Sequence, residues 1–265
     1  MNSKAAPTHR ARKRFGQNFL HDSNVIHNII ASIGVAPGQN IVEIGPGMGA
    51  LTEQLLQKTA GNLMAIELDR DLVSLLQTRF SDYPDFKIDQ ADALKFDYSQ
   101  IATDDEPLRI VGNLPYNIST PLIFRLLSFA PLIKDMHFML QKEVVDRLSA
   151  TAGNRNYGRL SVMAQYHCQI IALFDVPPQA FRPQPKVDSA IVRLIPYEKP
   201  PFLALDHRRL ADLVRTAFNQ RRKTLRNNLK GLITDQQLLS IDINPSVRAE
   251  TLTPADFVRI SNFLS

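Results

Sequence analysis

Five short runs rich in branched and aliphatic residues, "NIVEI" (40–44), "LMAIE" (63–67), "FKIDQ" (86–90), "RIVGN" (109–113) and "MHFML" (136–140), alternate with helical patterns. The helical stretches run from Leu51 to Thr59, from Asp69 to Phe80 and from Thr120 to Phe129. Strand, helix, strand repeated in this way folds into a mainly parallel, doubly wound α/β sheet. Two later runs, "QIIALF" (169–174) and "AIVRLI" (190–195), are joined by the proline-rich "DVPPQAFRPQPKVDS", which has no helical pattern. An antiparallel hairpin with a long loop is the natural connection there. After "PYEKPP" (196–201) the strand signal ends and only helical patterns remain. The expected division is an α/β domain over residues 1–200, opening with a basic segment at 1–22, and a small all-α domain over 201–265.

The chain has 265 residues, 44% of them hydrophobic, enough for a full core. A net charge of +5 and a pI near 9.4 suit a polyanionic partner, although an ordinary basic enzyme has the same balance. Cys168 is the single cysteine, so no internal disulfide is possible, and its apolar setting reads as a buried strand thiol. The histidines are scattered without metal-ligand spacing. No apolar stretch approaches the roughly 20 residues of a membrane span. A reducing cytoplasm fits, with no membrane partner. The basic run Arg10, Arg12, Lys13 and Arg14 shares a bias with transit peptides, but it passes directly into "FGQNFL", which reads as functional sequence.

"VEIGPGMGALT" (42–52) sets Gly45, Gly47 and Gly49 between the first strand and its helix. Glycine there lets the backbone turn sharply and approach a ligand, and the helix N-terminal amides then face it. About 20 residues on, Glu67 ends the second strand, where a carboxylate can accept both hydrogen bonds of a ribose diol. Asp92, after the third strand, adds another acid at the same sheet edge. The pattern admits either NAD or S-adenosylmethionine.

"GNLPYNIS" (112–119) follows the fourth strand with a bare amide, a rigid proline and an aromatic ring. An ordinary turn uses such residues. A second reading is chemical. The N6 amine of adenine is a poor nucleophile because its lone pair is delocalised into the ring. Two neutral acceptors, the Asn113 side-chain oxygen and the Leu114 carbonyl, can hold both N–H bonds and turn the lone pair outward. Pro115 fixes the turn, and Tyr116 offers a face on which a base stacks, worth roughly 1–3 kcal/mol. The stretch suits in-line methyl transfer driven by positioning and electrostatics.

Taken together, "KRFGQNFL" (13–20), "VEIGPGMGALT", "IELDRDL" (66–72), "DAL" (92–94), "GNLPYNISTPL" (112–122), "MLQKEVVDRL" (139–148), "YGRLSV" (157–162), "FRPQPKVDSA" (181–190) and "FNQRRKTLRN" (218–227) resemble the rRNA adenine N6-dimethyltransferases from about Arg12 to near the C-terminus. The resemblance implies a Rossmann-like, seven-stranded S-adenosylmethionine-dependent methyltransferase sheet with an antiparallel final hairpin and a small helical C-terminal domain that binds RNA. It implies cofactor contacts from Asn18, Leu20, Gly45, Gly47, Glu67, Asp92 and Asn113. It further implies transfer of two methyl groups to each of two adjacent adenosines in the 3′-terminal hairpin loop of small-subunit rRNA, on a pre-30S particle, by a monomer with a part in ribosome biogenesis. Phe181 is expected as a second aromatic wall opposite Tyr116, with a local hydrophobic anchor as the alternative. Lys186, in the same loop, is placed to meet a phosphate.

"FNQRRKTLRNNLKG" (218–231) carries Arg221, Arg222, Lys223, Arg226 and Lys230 with no acid. Read as one helix, Arg222, Arg226 and Lys230 share a face, while Phe218, Leu225, Leu229 and Leu232 form an apolar stripe. With Arg12, Lys13 and Arg14 at the other end of the chain, two basic clusters are expected to hold RNA phosphates, although a charge run is more often a solvated face.

Overall fold

A computed structural model describes residues 17–59, 61–103 and 106–265. The chain divides into two compact units, Met1–Val145 with Ile171–Pro196, and Asp146–Ile170 with Tyr197–Ser265.

In chain order, β1 (Phe19–Leu20) leads into α1 (Ser23–Ile33). Then β2 (Ile41–Ile44), α2 (Ala50–Thr59), β3 (Leu63–Glu67), α3 (Arg70–Arg79) and β4 (Phe86–Gln90) alternate. They are followed by β5 (Leu108–Asn113), α4 (Ser119–Leu127) and β6 (Ile133–Gln141). Helices α5 (Lys142–Ser149) and α6 (Arg159–His167) precede β7 (Cys168–Val176), β8 (Phe181–Arg182) and β9 (Ser189–Pro196). The chain ends in α7 (His207–Ala217), α8 (Leu225–Asn228), α9 (Asp235–Ser240) and α10 (Pro254–Phe263).

The main sheet has seven strands in the order β4-β3-β2-β5-β6-β9-β7, and β1 and β8 form a separate pair. From β4 to β6 neighbouring strands are parallel, and β9 runs antiparallel to β6. Successive strands build outward from β2 in one direction and from β5 in the other, so the order reverses between them. Open α/β sheets bind ligands at such a reversal, outside the strand carboxyl ends. Gly112 makes the β2–β5 contact possible: a Cβ there would lie 2.5 Å from the Ile44 carbonyl oxygen.

Apolar residues of α1 (Ile29, Ile30, Ile33) and α2 (Leu51, Leu55, Leu56) share one buried core with Val111, Met139 and Ile191 of the sheet. Asp22 caps α1 by accepting from the amides of Asn24 and Val25. Arg109, buried at the start of β5, donates to both Asp135 oxygens at 2.9 Å and to the Ile33 carbonyl at 2.6 Å. It thus satisfies a helix-end carbonyl and pins α1 to the sheet.

In the second unit, α6 packs against α7 and α10. The loop before α6 is tied down by the Gly153 amide donating to the Glu250 carbonyl at 2.7 Å. The expected break at residue 200 therefore differs from the observed division: Asp146–Ile170 groups with the C-terminal helices, where α6 meets α7 and α10.

Residues 218–231 do not form the single helix expected of them; only Leu225–Asn228 is helical. The Leu225 and Arg226 amides are taken by the carbonyls of Val247 and Pro245, and Thr224 bridges Arg248. Those bonds hold the incoming chain extended, so Arg222 does not share a helical face with Arg226. Leu225 and Leu229 are buried, but Leu232 is 51% exposed and has no place in an apolar stripe.

His137 lies in β6 beside Asp135, wholly within the first unit. Burial pushes its imidazole down to about 4, against the pull of Asp135 and with the repulsion of Arg193 and Arg109. Between the ordinary value of 6.5 and 4, the unfolded chain takes up a proton that the folded chain refuses. The stabilisation is present above pH 6.5 and is lost as pH falls toward 4, by on the order of 3 kcal/mol at most. Urea unfolding from pH 7 to pH 4.5 should show a shallower loss of stability for His137→Leu than for the parent chain. Parallel curves would contradict the assignment.

Candidate active site

One cavity of about 340 Å³ opens at the carboxyl edge of the parallel strands, at the lower end of the range for small-molecule sites. Its walls come from five segments: Gln17–Leu20, the turn after β2, the ends of β3 and β4, and Asn113–Ile118 after β5.

The turn after β2 is held by the Gly45 amide, which donates to the Ile66 carbonyl at 2.9 Å. Gly47 has φ +58°, and a Cβ on it would lie 3.1 Å from the Phe19 ring. Only glycine provides both the left-handed turn and the space for Phe19. Glu67 is 8% exposed, and its Oε1 accepts from the Asp69 amide at 2.9 Å. The Gly47 amide stands 3.4 Å from Oε2. Burial raises its pKa, while the amide bonds from Asp69, Gly47 and Leu68 resist that rise. Asp92 is held at the end of β4 by the Leu94 amide, which donates to Oδ1 at 3.0 Å. All three features line the cavity and bring oxygen acceptors and bare backbone to it.

The turn after β5 lines the cavity too. Asn113 Nδ2 donates to the Asn18 carbonyl at 3.0 Å, so the acceptor end of the amide, Oδ1, is the end left for the cavity. The Leu114 amide donates to the Met139 carbonyl at 3.2 Å. Among the described residues, no donor takes up the Leu114 carbonyl. Pro115 closes the turn by accepting from the Ile118 amide at 3.1 Å. Tyr116 is half-buried, and its hydroxyl lies 2.8 Å from Ser189 Oγ. Burial raises the Tyr116 pKa, partly offset by that bond.

The strap Gln17–Leu20 lines the cavity and is fastened at several points. Gln17 Nε2 reaches Asp69 at 3.4 Å, Phe19 sits on Gly47, and Leu20 pairs with Phe181. The His21 amide donates to the Ala180 carbonyl at 2.9 Å.

The structure thus gathers Asn18, Leu20, Gly45, Gly47, Glu67, Asp92, Asn113, Leu114, Pro115 and Tyr116 around one cavity. It does not bring Phe181 there. Its ring is 1% exposed and belongs to the core with Ile29, Val176 and Ile191. Pairing of β8 with β1 turns Phe181 inward and Arg182 outward, which corrects the expectation of a second stacking wall. Lys186 is exposed in the loop between β8 and β9, away from the cavity lining. Arg221, Arg222, Lys223, Arg226 and Lys230 belong to the second unit. Arg12, Lys13 and Arg14 lie outside the described residues.

Sequence reasoning missed three residues. Leu68 lines the cavity yet is 50% exposed, an aliphatic surface beside Glu67 with no sequence signal of its own. Ser189 reaches Tyr116 across 73 residues, which no local pattern reveals. Glu43 did carry a signal, a lone acid in the buried run "IVEI". Burial pushes it up to about 7, with repulsion from Glu67 in the same direction and a 2.7 Å bond from Thr52 opposing.

Bare backbone beside a carboxylate, at the reversal point of a seven-stranded sheet, fits a nucleoside-bearing cofactor such as S-adenosylmethionine. The neutral acceptors after β5 fit an amine. Comparison with known proteins agrees. The ribosomal RNA adenine dimethylase family matches residues 8–265. The chain is 59% identical over 263 residues to ribosomal RNA small subunit methyltransferase A of Saccharophagus degradans, covering 99% of this chain and 98% of that one. It is 58% identical to the protein of that name from Pseudomonas aeruginosa, covering 97% and 96% of the two chains. Among solved structures, a dimethyladenosine transferase from Plasmodium falciparum superposes with a TM-score of 0.77 at 28% identity, over 91% of this chain and 95% of that one. The 23S rRNA methyltransferase ErmE gives 0.71 at 25% identity, over 93% and 99%. With its site and its whole length in agreement, the chain belongs to the ribosomal RNA adenine dimethylase family, whose members use S-adenosylmethionine.

Proposed function

We propose that this enzyme methylates the N6 amino groups of two adjacent adenosines in the 3′-terminal hairpin loop of small-subunit rRNA, twice each. Its substrate is a pre-30S particle, and it works as a monomer in the cytoplasm, with a part in subunit biogenesis. Among the described residues, no helix is long and apolar enough to cross a membrane. The observation that carries the reading is the pair of acceptors at one mouth: the Asn113 amide, tied through Nδ2, and the uncommitted Leu114 carbonyl.

When bound, S-adenosylmethionine supplies an electrophilic methyl carbon on a sulfonium. The remaining work falls to the chain. Glu67, oriented by the Asp69 amide, accepts from the ribose hydroxyls. Asp92 reads the adenine ring of the cofactor, and Gly45 and Gly47 let the backbone approach it. Asn18 and Leu20 close the strap over it. Asn113 Oδ1 and the Leu114 carbonyl accept the two N–H bonds of the target amine and turn its lone pair toward the methyl carbon. A carboxylate is not needed to deprotonate the amine beforehand, because an aromatic amine is scarcely acidic before it is methylated; the methylated, cationic nitrogen would then lose its proton to water, the sulfonium having become a neutral thioether. Tyr116 supports the base by stacking. In the second unit, Arg222, Lys223 and Lys230 are exposed and form no ion pair among the described residues, so they are ready for phosphates. Arg221 and Arg226 have carboxylate partners in Glu250 and Asp235, at 3.3 and 2.8 Å, and would exchange them.

Asn113→Ala should lower methyl incorporation by about 100-fold while changing cofactor affinity only a few-fold. Near-normal turnover would contradict the positioning role. Glu67→Ala should instead weaken cofactor binding by roughly tenfold or more in titration calorimetry; a defect confined to turnover would refute its ribose assignment. Arg222→Glu with Lys223→Glu should reduce affinity for the particle, most at low salt, with the curves converging as salt rises. Equal affinities at low salt would mean that this face is only solvated. The overall reading is tested by incubating the enzyme with labelled S-adenosylmethionine and small subunits that lack the modification. Label is expected on N6 of adjacent adenosines, and label on any other base would overturn it.

A further inference from the structure

The Tyr116 ring is attached at two ends. Its backbone is set by the turn, in which the Ile118 amide donates to the Pro115 carbonyl and the Ser119 hydroxyl to the Tyr116 carbonyl at 3.1 Å. Its far end is set by one contact, 2.8 Å from the phenolic oxygen to Ser189 Oγ. Ser189 is 0% exposed and opens β9 in a run, Ser189–Val192, that is buried throughout. Its backbone is fixed on both sides: Ser189 pairs with Gln141 across the β6–β9 ladder, and the Asp188 carbonyl accepts from the Lys142 amide at 2.9 Å.

A hydroxyl with no exposed surface costs free energy unless it is bonded, and so does a half-buried phenol. An alanine facing a phenylalanine would fill the same space without either cost. What the polar pair adds is direction. The phenolic oxygen lies on the long axis of the ring, so a bond to a rigid strand fixes that axis and hence χ1. The ring can then neither swing into the cavity nor out toward solvent. Asn113 and Leu114 are joined to Tyr116 through the single rigid residue Pro115, so the axis of the ring determines where a stacked base sits relative to their acceptors.

We propose that Ser189 is a positioning residue for methyl transfer: its hydroxyl holds the axis of Tyr116 so that the stacked adenine presents its amine to Asn113 Oδ1 and the Leu114 carbonyl. The inference rests on the adenine reading of the same site. Ser189 is not among the residues that line the cavity, so its removal should leave cofactor binding alone and act on turnover.

The test is a double-mutant cycle on kcat with small subunits lacking the modification, using Ser189→Ala, Tyr116→Phe and both together. Cofactor affinity and melting temperature are measured on each variant. Each single change should lower kcat roughly tenfold with cofactor affinity unchanged, as expected for a misplaced reacting group. The double variant should be no slower than either single one, because both remove the same bond. Unchanged kcat in Ser189→Ala, or multiplicative losses in the double variant, would overturn the proposal. If Ser189→Ala does not fold, Tyr116→Phe keeps the ring and removes only the bond, and an unchanged kcat there overturns it equally. Failure of the adenine reading would show differently, as absence of N6-methyladenine with the parent enzyme.

Discussion

The bond from Asn113 Nδ2 to the Asn18 carbonyl decides what the cavity presents to a substrate. A side-chain amide has a donor end and an acceptor end of nearly equal size, and an untethered one can show either. With the donor end engaged, the oxygen is the end offered. Other features of the site keep that bond in place. Gly112 allows β5 to lie against β2 and so sets the height of Asn113. Phe19 seated on Gly47, together with the β1–β8 pair, holds the strap that carries the Asn18 carbonyl. The strap therefore does more than line the cavity, because its backbone orients the Asn113 amide.

Charge is divided around the cavity: Glu43, Glu67 and Asp92 line it from β2 and from the ends of β3 and β4, while the Asn113 amide and the Leu114 carbonyl are neutral acceptors. On the proposed reading, the carboxylates meet the hydroxyl and amino groups of the cofactor's nucleoside. The neutral acceptors meet the target amine, where a carboxylate would gain nothing from a weakly acidic N–H. Glu43 lies beneath, and burial raises it to about 7, so it is partly protonated at neutral pH and adds less negative charge below the glycine turn than a free carboxylate would. Burial raises Glu67 as well, and backbone amides that hold its oxygens oppose that rise.

The main sheet and most of the cavity were readable from the sequence because both depend on short-range pattern. "LMAIE" and "FKIDQ" coincide with β3 and β4, and every cavity segment except Gln17–Leu20 lies at the end of a strand that its aliphatic run announces. The misreadings share a different cause. Phe181 lies in a two-residue strand, too short for any alternation to show which way its ring points; its partner, Leu20, is 161 residues earlier in the chain. At 218–231 the fourfold spacing of basic residues was a true property of the sequence, but Val247 and Pro245 take the amides that would have allowed the helix to begin earlier. Residues 146–170 carry no compositional break, and only the packing of α6 reveals where they belong. Ser189 was silent for the same reason, since its meaning lies in a bond to a residue 73 positions away.

The acceptor pair is tested most directly by a crystal structure with a stable cofactor analogue and a bound adenosine or adenine oligonucleotide. The account expects the N6 nitrogen within hydrogen-bonding distance, about 3 Å, of both Asn113 Oδ1 and the Leu114 carbonyl, with Nδ2 still on Asn18. An amine held by a carboxylate, or an Asn113 amide turned so that Nδ2 faces the base, would contradict it.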